Sequence, residues 1–179
     1  MTTTINKSIL NKNNFRLLID KVPSVEFFVK NVNIPGLQFT ETVAPAGIGL
    51  DAFFPGDKVS FDTLSVGFLV DEDLANFKEI FDWMDSIVPV SDPSAYKNYV
   101  KSETTATGQQ SKIDDALNQY SDITLVTNTN KNLPNRFFRF HDAFPISLSG
   151  IEMESGSDNE AVLATVEFRF TYYDIKSTS

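Results

Sequence analysis

The residues able to do chemistry in this chain are few and scattered. A single histidine, His141, stands beside Arg139 and Asp142. Imidazole is the side chain best suited to proton transfer near neutral pH, but catalytic or metal work needs partners at defined spacing, and the neighbouring residues offer none. The pairs Asp71/Asp73, Asp82/Asp85 and Asp114/Asp115 have the composition of an acid–base couple. Each falls at the start or on the wet side of a helical pattern, where solvation alone explains an acidic group. Arg136 and Arg139 alternate with Phe137, Phe138 and Phe140, a superficial likeness to the platforms that stack RNA bases. With no further basic residues beside them, the expectation is phenylalanines facing a core and arginines on its rim or in an interface.

Motifs with a mechanism are missing too. There is no phosphate-cradling GxxxxGK[ST], no GxGxxG, no HExxH, no GxSxG and no acidic calcium loop. Cysteine is absent, which excludes disulfides, thiolate metal sites and a cysteine nucleophile. Asn6-Lys7-Ser8 matches a glycosylation sequon, but the polar opening residues contain no apolar signal region, so the match is read as chance. No apolar run approaches the ~20 residues that span a bilayer, and synthesis and folding in cytoplasm are expected. No catalytic, cofactor or metal residue is assigned, and a non-enzymatic binding or assembly module is expected.

The 179 residues favour one domain. Phenylalanine is the anomaly: 16 residues against 5 Tyr and 1 Trp, enough to bury a core without cross-links. The net charge of −9 repels nucleic acid. It suits plain solubility, or a surface that DNA must pass without sticking.

The hydrophobic pattern is mostly that of strands. Residues 1–13 read as an N-terminal arm, and 14–175 as a single β domain. Phe15, Leu17 and Ile19 alternate as a half-buried strand, and a second strand is expected over roughly 24–33. Residues 43–57 contain two prolines and three glycines, as a loop or irregular hairpin would, yet carry Ile48, Leu50, Phe53 and Phe54. Those four are candidate interface residues if the loop meets a partner, or core residues if it folds back. A long strand over 59–70 changes phase near Asp62-Thr63, as a β-bulge would require. Leu74, Phe77, Ile80, Phe81, Met84 and Ile87 recur at helical spacing behind Asp71-Glu72-Asp73, predicting one α-helix over about 72–88. Trp83 and Met84 are read as packing residues.

From about 90 to 134 the chain is polar and reads as an insertion. Ile113, Leu117 and Tyr120 make a narrow stripe there, and residues 122–130 a strand. Arg136–His141 reads as a strand that continues from Phe144 after a turn, and Gly156–Asn159 as a tight turn. Ala164, Val166, Phe168, Phe170 and Tyr172 give the cleanest period of two. The predicted fold is mainly β: a two-sheet sandwich or barrel with one flanking helix.

Four segments, in order, resemble the tail tube proteins of contractile-tailed (myovirus-type) bacteriophages: Asn14–Ile19; Phe28–Gly36 with Ala44–Gly47; Phe61–Val66 with Phe77–Trp83; and Phe144–Ser149 with the strand running to Tyr173. The resemblance implies a structural virion protein, a tail tube subunit in stacked hexameric rings around a channel for DNA during injection. It implies sheets joined between copies, contacts between rings through residues 43–57 and the arm, and tail sheath, baseplate and neck proteins as partners. The virion tail would be its location, reached by assembly in the host cytoplasm. The alternatives are a tube initiator or terminator at the baseplate or neck, and the tube of a phage-derived contractile injection system. A more remote one is a monomeric β-barrel that binds a small apolar ligand.

Overall fold

A computed structural model describes residues 9–26, 28–88, 119–154 and 161–177. The sequon, the stripe residues Ile113 and Leu117, the pair Asp114/Asp115 and the turn expected at Gly156–Asn159 lie outside those residues. Among the described residues, nine strands and two helices follow one another: β1 (Phe15–Ile19), α1 (Pro23–Glu26), β2 (Val29–Val32), β3 (Leu37–Gly47), β4 (Leu50–Phe61), β5 (Leu64–Leu69), α2 (Ala75–Ile87), β6 (Ser121–Asn128), β7 (Pro134–Leu148), β8 (Leu163–Arg169) and β9 (Tyr172–Ser177).

All strand pairings are antiparallel. A first sheet has the order β1-β6-β7-β9, a second the order β2-β5-β8-β7, and among the described residues β3 pairs only with β4. One strand, β7, serves both sheets: residues Pro134–Ala143 pair with β6 and residues Phe144–Leu148 with β8. The sequence pattern predicts a turn between His141 and Phe144, but the chain stays extended. It changes sheets through a bulge, with Asp142 in the left-handed region at φ 54°. Opposite Ser121–Ile123 the partner run is Ala143 to Phe140, one residue longer, which is the two-against-one count of a β-bulge. The neighbouring strand crosses at the same level. The expected single strand ending at Tyr172 is broken after Arg169, so that β8 lies in the second sheet and β9 in the first.

Two other expectations are corrected. The strand predicted over 24–33 is a single helical turn followed by a four-residue strand. Pro23 fits the first position of a helix, where its missing N–H costs nothing, and Val25 is buried. The strand predicted over 59–70 is not bulged but divided: β4 ends at Phe61 in the two-stranded sheet, and β5 starts at Leu64 in the second sheet. The phase change at Asp62-Thr63 marks that transfer.

The core sits between the two sheets. Leu17, Ile19, Ile123, Leu125 and Phe140 enter from the first sheet, and Leu64, Val66, Phe68, Ala164, Val166 and Phe168 from the second. Helix α2 closes one side with Ile80 and Trp83, whose indole lies 5.8 Å from the Phe168 ring. Leu74 and Phe81, expected on that stripe, are exposed: the helix begins three residues later than the predicted start, leaving Leu74 left-handed at its N-cap, and Phe81 lies with Phe77, Met84 and Val88 at the surface beside the buried stripe. The acidic run still serves the N-terminus. Asp71 accepts a hydrogen bond from the Asn76 amide at 3.3 Å, and the Asp71 amide donates to Asn76 Oδ1 at 3.4 Å. Residues 121–128, part of the polar stretch 90–134, are built into the first sheet as β6.

Candidate assembly interface

The segment 43–57, read from sequence as a loop or irregular hairpin, is the outer part of an irregular antiparallel hairpin, β3–β4, whose register shifts between Phe39 and Glu41 and again between Pro45 and Gly47. With 11 residues in β3 and 12 in β4, at ~3.3 Å each, the whole hairpin is about 35 Å long. Ile48-Gly49 make the two-residue turn, and Gly49 adopts φ 80°, a conformation that favours glycine. The register slips between Phe39 and Glu41, where β4 carries two extra residues. Gly56 lies at that slip, and a Cβ there would run into the Thr40 backbone.

The two sides of the hairpin differ. Leu37 opposite Phe61, Phe39 opposite Val59 and Val43 opposite Phe53 share one side; Gln38 opposite Ser60, Thr42 opposite Phe54 and Ala44 opposite Ala52 share the other. At the root, Phe61 packs on Phe170 and Tyr173 with ring centroids at 5.6 and 5.4 Å. The apolar side is therefore an extension of the core side of the second sheet, carried out into solvent.

All four candidate residues are exposed: Ile48 at 106%, Leu50 at 71%, Phe53 at 66% and Phe54 at 54%. The hairpin does not fold them back onto its own domain. Leu37, Phe39, Val43 and Val59 are exposed beside them, and these the sequence reading missed. The alternation Leu37–Phe39 and Val59–Phe61 was the signal that could have found them. A two-stranded hairpin is marginal by itself in water, and a long exposed apolar face marks a contact surface.

The residues with chemical potential are placed as follows. His141 lies between two carboxylates, its Nδ1 3.9 Å from Asp122 and its Nε2 3.7 Å from Asp174, and stacks on Tyr172 at 4.5 Å. Arg139 donates twice to Asp122 Oδ2, at 2.8 and 3.2 Å, and this bond raises its pKa further. Lys176 pairs with Asp174 at 2.9 Å, which, with the nearby imidazole, holds that carboxyl below its usual range. This is an ionic lattice on the outer side of the first sheet. Among the described residues, no group of three or more His, Asp or Glu could hold a metal ion. Asp82 pairs with Lys78 one turn away on the exposed side of α2. Phe138 and Phe140 face the core as expected, whereas Phe137 lies on the outer side with Arg139.

The fold and its exposed arm define a structural β module, with no catalytic constellation among the described residues. Residues 2–176 match the sequence model of the family described as phage tail tube protein, and the chain belongs to that family. It is a structural protein of the tube and terminator type found in contractile tails, not an enzyme. The tail tube terminator protein of Enterobacteria phage T4 is 27% identical over 175 residues, covering 93% of this chain and 88% of that protein. Among solved structures, the tube terminating cap of the anti-feeding prophage superposes with TM-score 0.62 at 11% identity, over 99% of this chain and 97% of that one. The PVC sheath-tube complex, an extracellular contractile injection system, gives 0.60 at 12% identity, over 96% and 94%. The PVC sheath/tube terminator gives 0.58 at 14%, over 95% and 98%.

Proposed function

We propose that this chain is the terminator of a tail tube: a ring of six copies that seats on the last tube ring and ends its growth. The observation that carries this reading is the 27% identity with the T4 terminator, which extends over nearly the whole of both chains. The sequence reading ranked the tube subunit itself first and the terminator second. The likeness in sequence favours the reverse order.

The strand arrangement is compatible with ring closure. Within the second sheet, β2 and the Phe144–Leu148 part of β7 each have one neighbour among the described residues. They run in opposite directions, so joining copies edge to edge would continue an antiparallel sheet and leave no open edge. The hairpin, with Ile48, Leu50, Phe53 and Phe54, would make the contact to the next ring, together with the arm that precedes Phe15. Tail sheath and neck proteins would meet the outer wall, and DNA would pass through the hole.

A second reading keeps the chain as the tube subunit, since the matching family is that of tail tube proteins. Electron microscopy of the purified full-length protein separates the two. A terminator gives isolated rings, and caps on tubes grown from a partner subunit. A tube subunit stacks face to back into open filaments by itself. A lasting 20.0 kDa monomer at high concentration, with no ring on any tube, would overturn both.

A further inference from the structure

Helix α2 carries two apolar stripes. Ile80 and Trp83 enter the core. Phe77, Phe81, Met84 and Val88, spaced by four, three and four residues, form a second stripe about a quarter turn away. Phe81 and Val88 are exposed. The second stripe walls an open groove of about 470 Å³ beside Leu148, with Asp85 among its lining. Leu148 ends β7 in the second sheet, on an edge that has no further strand beside it among the described residues.

The opposite edge carries a cleft of complementary charge. The strand path β1-β6-β7-β8-β5-β2 begins and ends at strands that do not pair with each other. Between those two strands lies an opening of about 770 Å³ lined by Phe15, Arg16, Val29 and Lys30, with Lys12 and Glu26 beside them. Three cations stand there with one carboxylate, and no ion pair among the described residues includes Lys12, Arg16 or Lys30. Lys30 lies in the register shift of the four-residue strand β2, between Val29 and Asn31. A short, bulged strand that bears a lysine is one way in which sheets keep an edge from pairing indiscriminately.

Groove and strand occupy the same rows of the sheet: Leu148 stands opposite Val166, Val166 opposite Val66, and Val66 opposite Val32. Val29 and Val32 pack against the core, on the side where α2 meets Phe168 through Trp83. We infer, on the ring of copies proposed above, that α2 is the clasp between neighbouring copies. Strand β2 of one copy lies in the groove between α2 and Leu148 of the other, and Lys30 meets Asp85 there. Charge selects a second copy as the occupant. A stray apolar strand in the groove brings no cation to Asp85, and a stray strand on β2 leaves Lys30 unmatched. A sibling supplies groove, strand and both charges together. Lys30 thus guards the edge of a lone subunit and fastens it once the ring forms.

The chain contains no cysteine, so a pair of introduced thiols reports on this contact. Rings of the full-length Lys30→Cys/Phe81→Cys protein, treated with a short bismaleimide, should give a covalent ladder on a denaturing gel that ends at the copy number of the ring. Each single variant should give no ladder. The charges are tested separately. Lys30→Glu and Asp85→Lys should each lower the fraction of protein in rings on the order of tenfold, with the subunit still folded by circular dichroism, and the double reversal should recover the rings. Rings seen by electron microscopy without a ladder, and untouched by either reversal, overturn the inference and leave the ring reading standing. A ladder whose assembly ignores the reversals supports the clasp and overturns the pairing of Lys30 with Asp85. So does a double reversal that recovers nothing. Failure of the unsubstituted protein to form rings overturns the ring reading, and the clasp with it. Should the cysteine pair not assemble, the charge reversals decide alone.

Discussion

Val43 and Phe53 face each other across the hairpin on its apolar side, while the next pair, Thr42 and Phe54, points the opposite way. The two adjacent phenylalanines therefore do different work. Phe53→Ser should abolish ring contacts and Phe54→Ser should weaken them less. Both should melt like the parent, because exposed positions usually change stability by no more than about 0.5 kcal/mol. Electron microscopy scores assembly and calorimetry scores folding. A large drop in melting temperature for Phe53→Ser would place it in the core instead.

Phe168 is fully buried and meets Trp83 of α2. Phe168→Ala should cost ~3–5 kcal/mol, read as a lower midpoint in urea. An unchanged midpoint would contradict the facing assigned to β8.

Asn76 is a fully buried polar residue at the start of α2, and its Nδ2 donates to the Leu69 carbonyl at 2.8 Å. Asn76→Leu leaves that carbonyl and the Asp71 amide without their partner. A loss of about 1–3 kcal/mol is expected. A neutral result would mean that the junction between β5 and α2 can rearrange.

Asp142 holds φ 54° where β7 changes sheets. Asp142→Gly should be tolerated, whereas Asp142→Val should lose about 1–2 kcal/mol, since a β-branched residue strongly disfavours the left-handed region. Equal stabilities for the two variants would show that the crossing needs no such conformation.

Asp174 has its folded pKa lowered, first by Lys176. A depressed carboxylate contributes stability that is present above its unfolded value, near 3.8, and lost as pH falls through the folded value. Stability of the parent should therefore decline in acid below about pH 4, with a shallower decline in Asp174→Asn. Identical acid profiles would remove Asp174 from the account.

Much of the second sheet could be read from residue order, because Ala164, Val166 and Phe168 alternate against a buried layer and the alternation has one cause. The stripe of α2 was readable for the same reason, apart from its first turn. The one-turn helix at Pro23 was not, since a strand and a short helix bury Val25 equally well. Asp142 gave no warning, as a left-handed aspartate looks like any other. For the hairpin, Ile48 and Phe53 were found by their oddity in a Pro/Gly-rich stretch, but composition cannot say whether an apolar side chain meets its own chain or another.

Strand β7 gives its backbone to both sheets, from Pro134 to Leu148. Sliding one layer over the other would thus have to strain covalent bonds and a continuous hydrogen-bonded ladder as well as loosen side-chain packing. A unit so built resists shear as a single plate would, and a pull on one sheet reaches the other without slack.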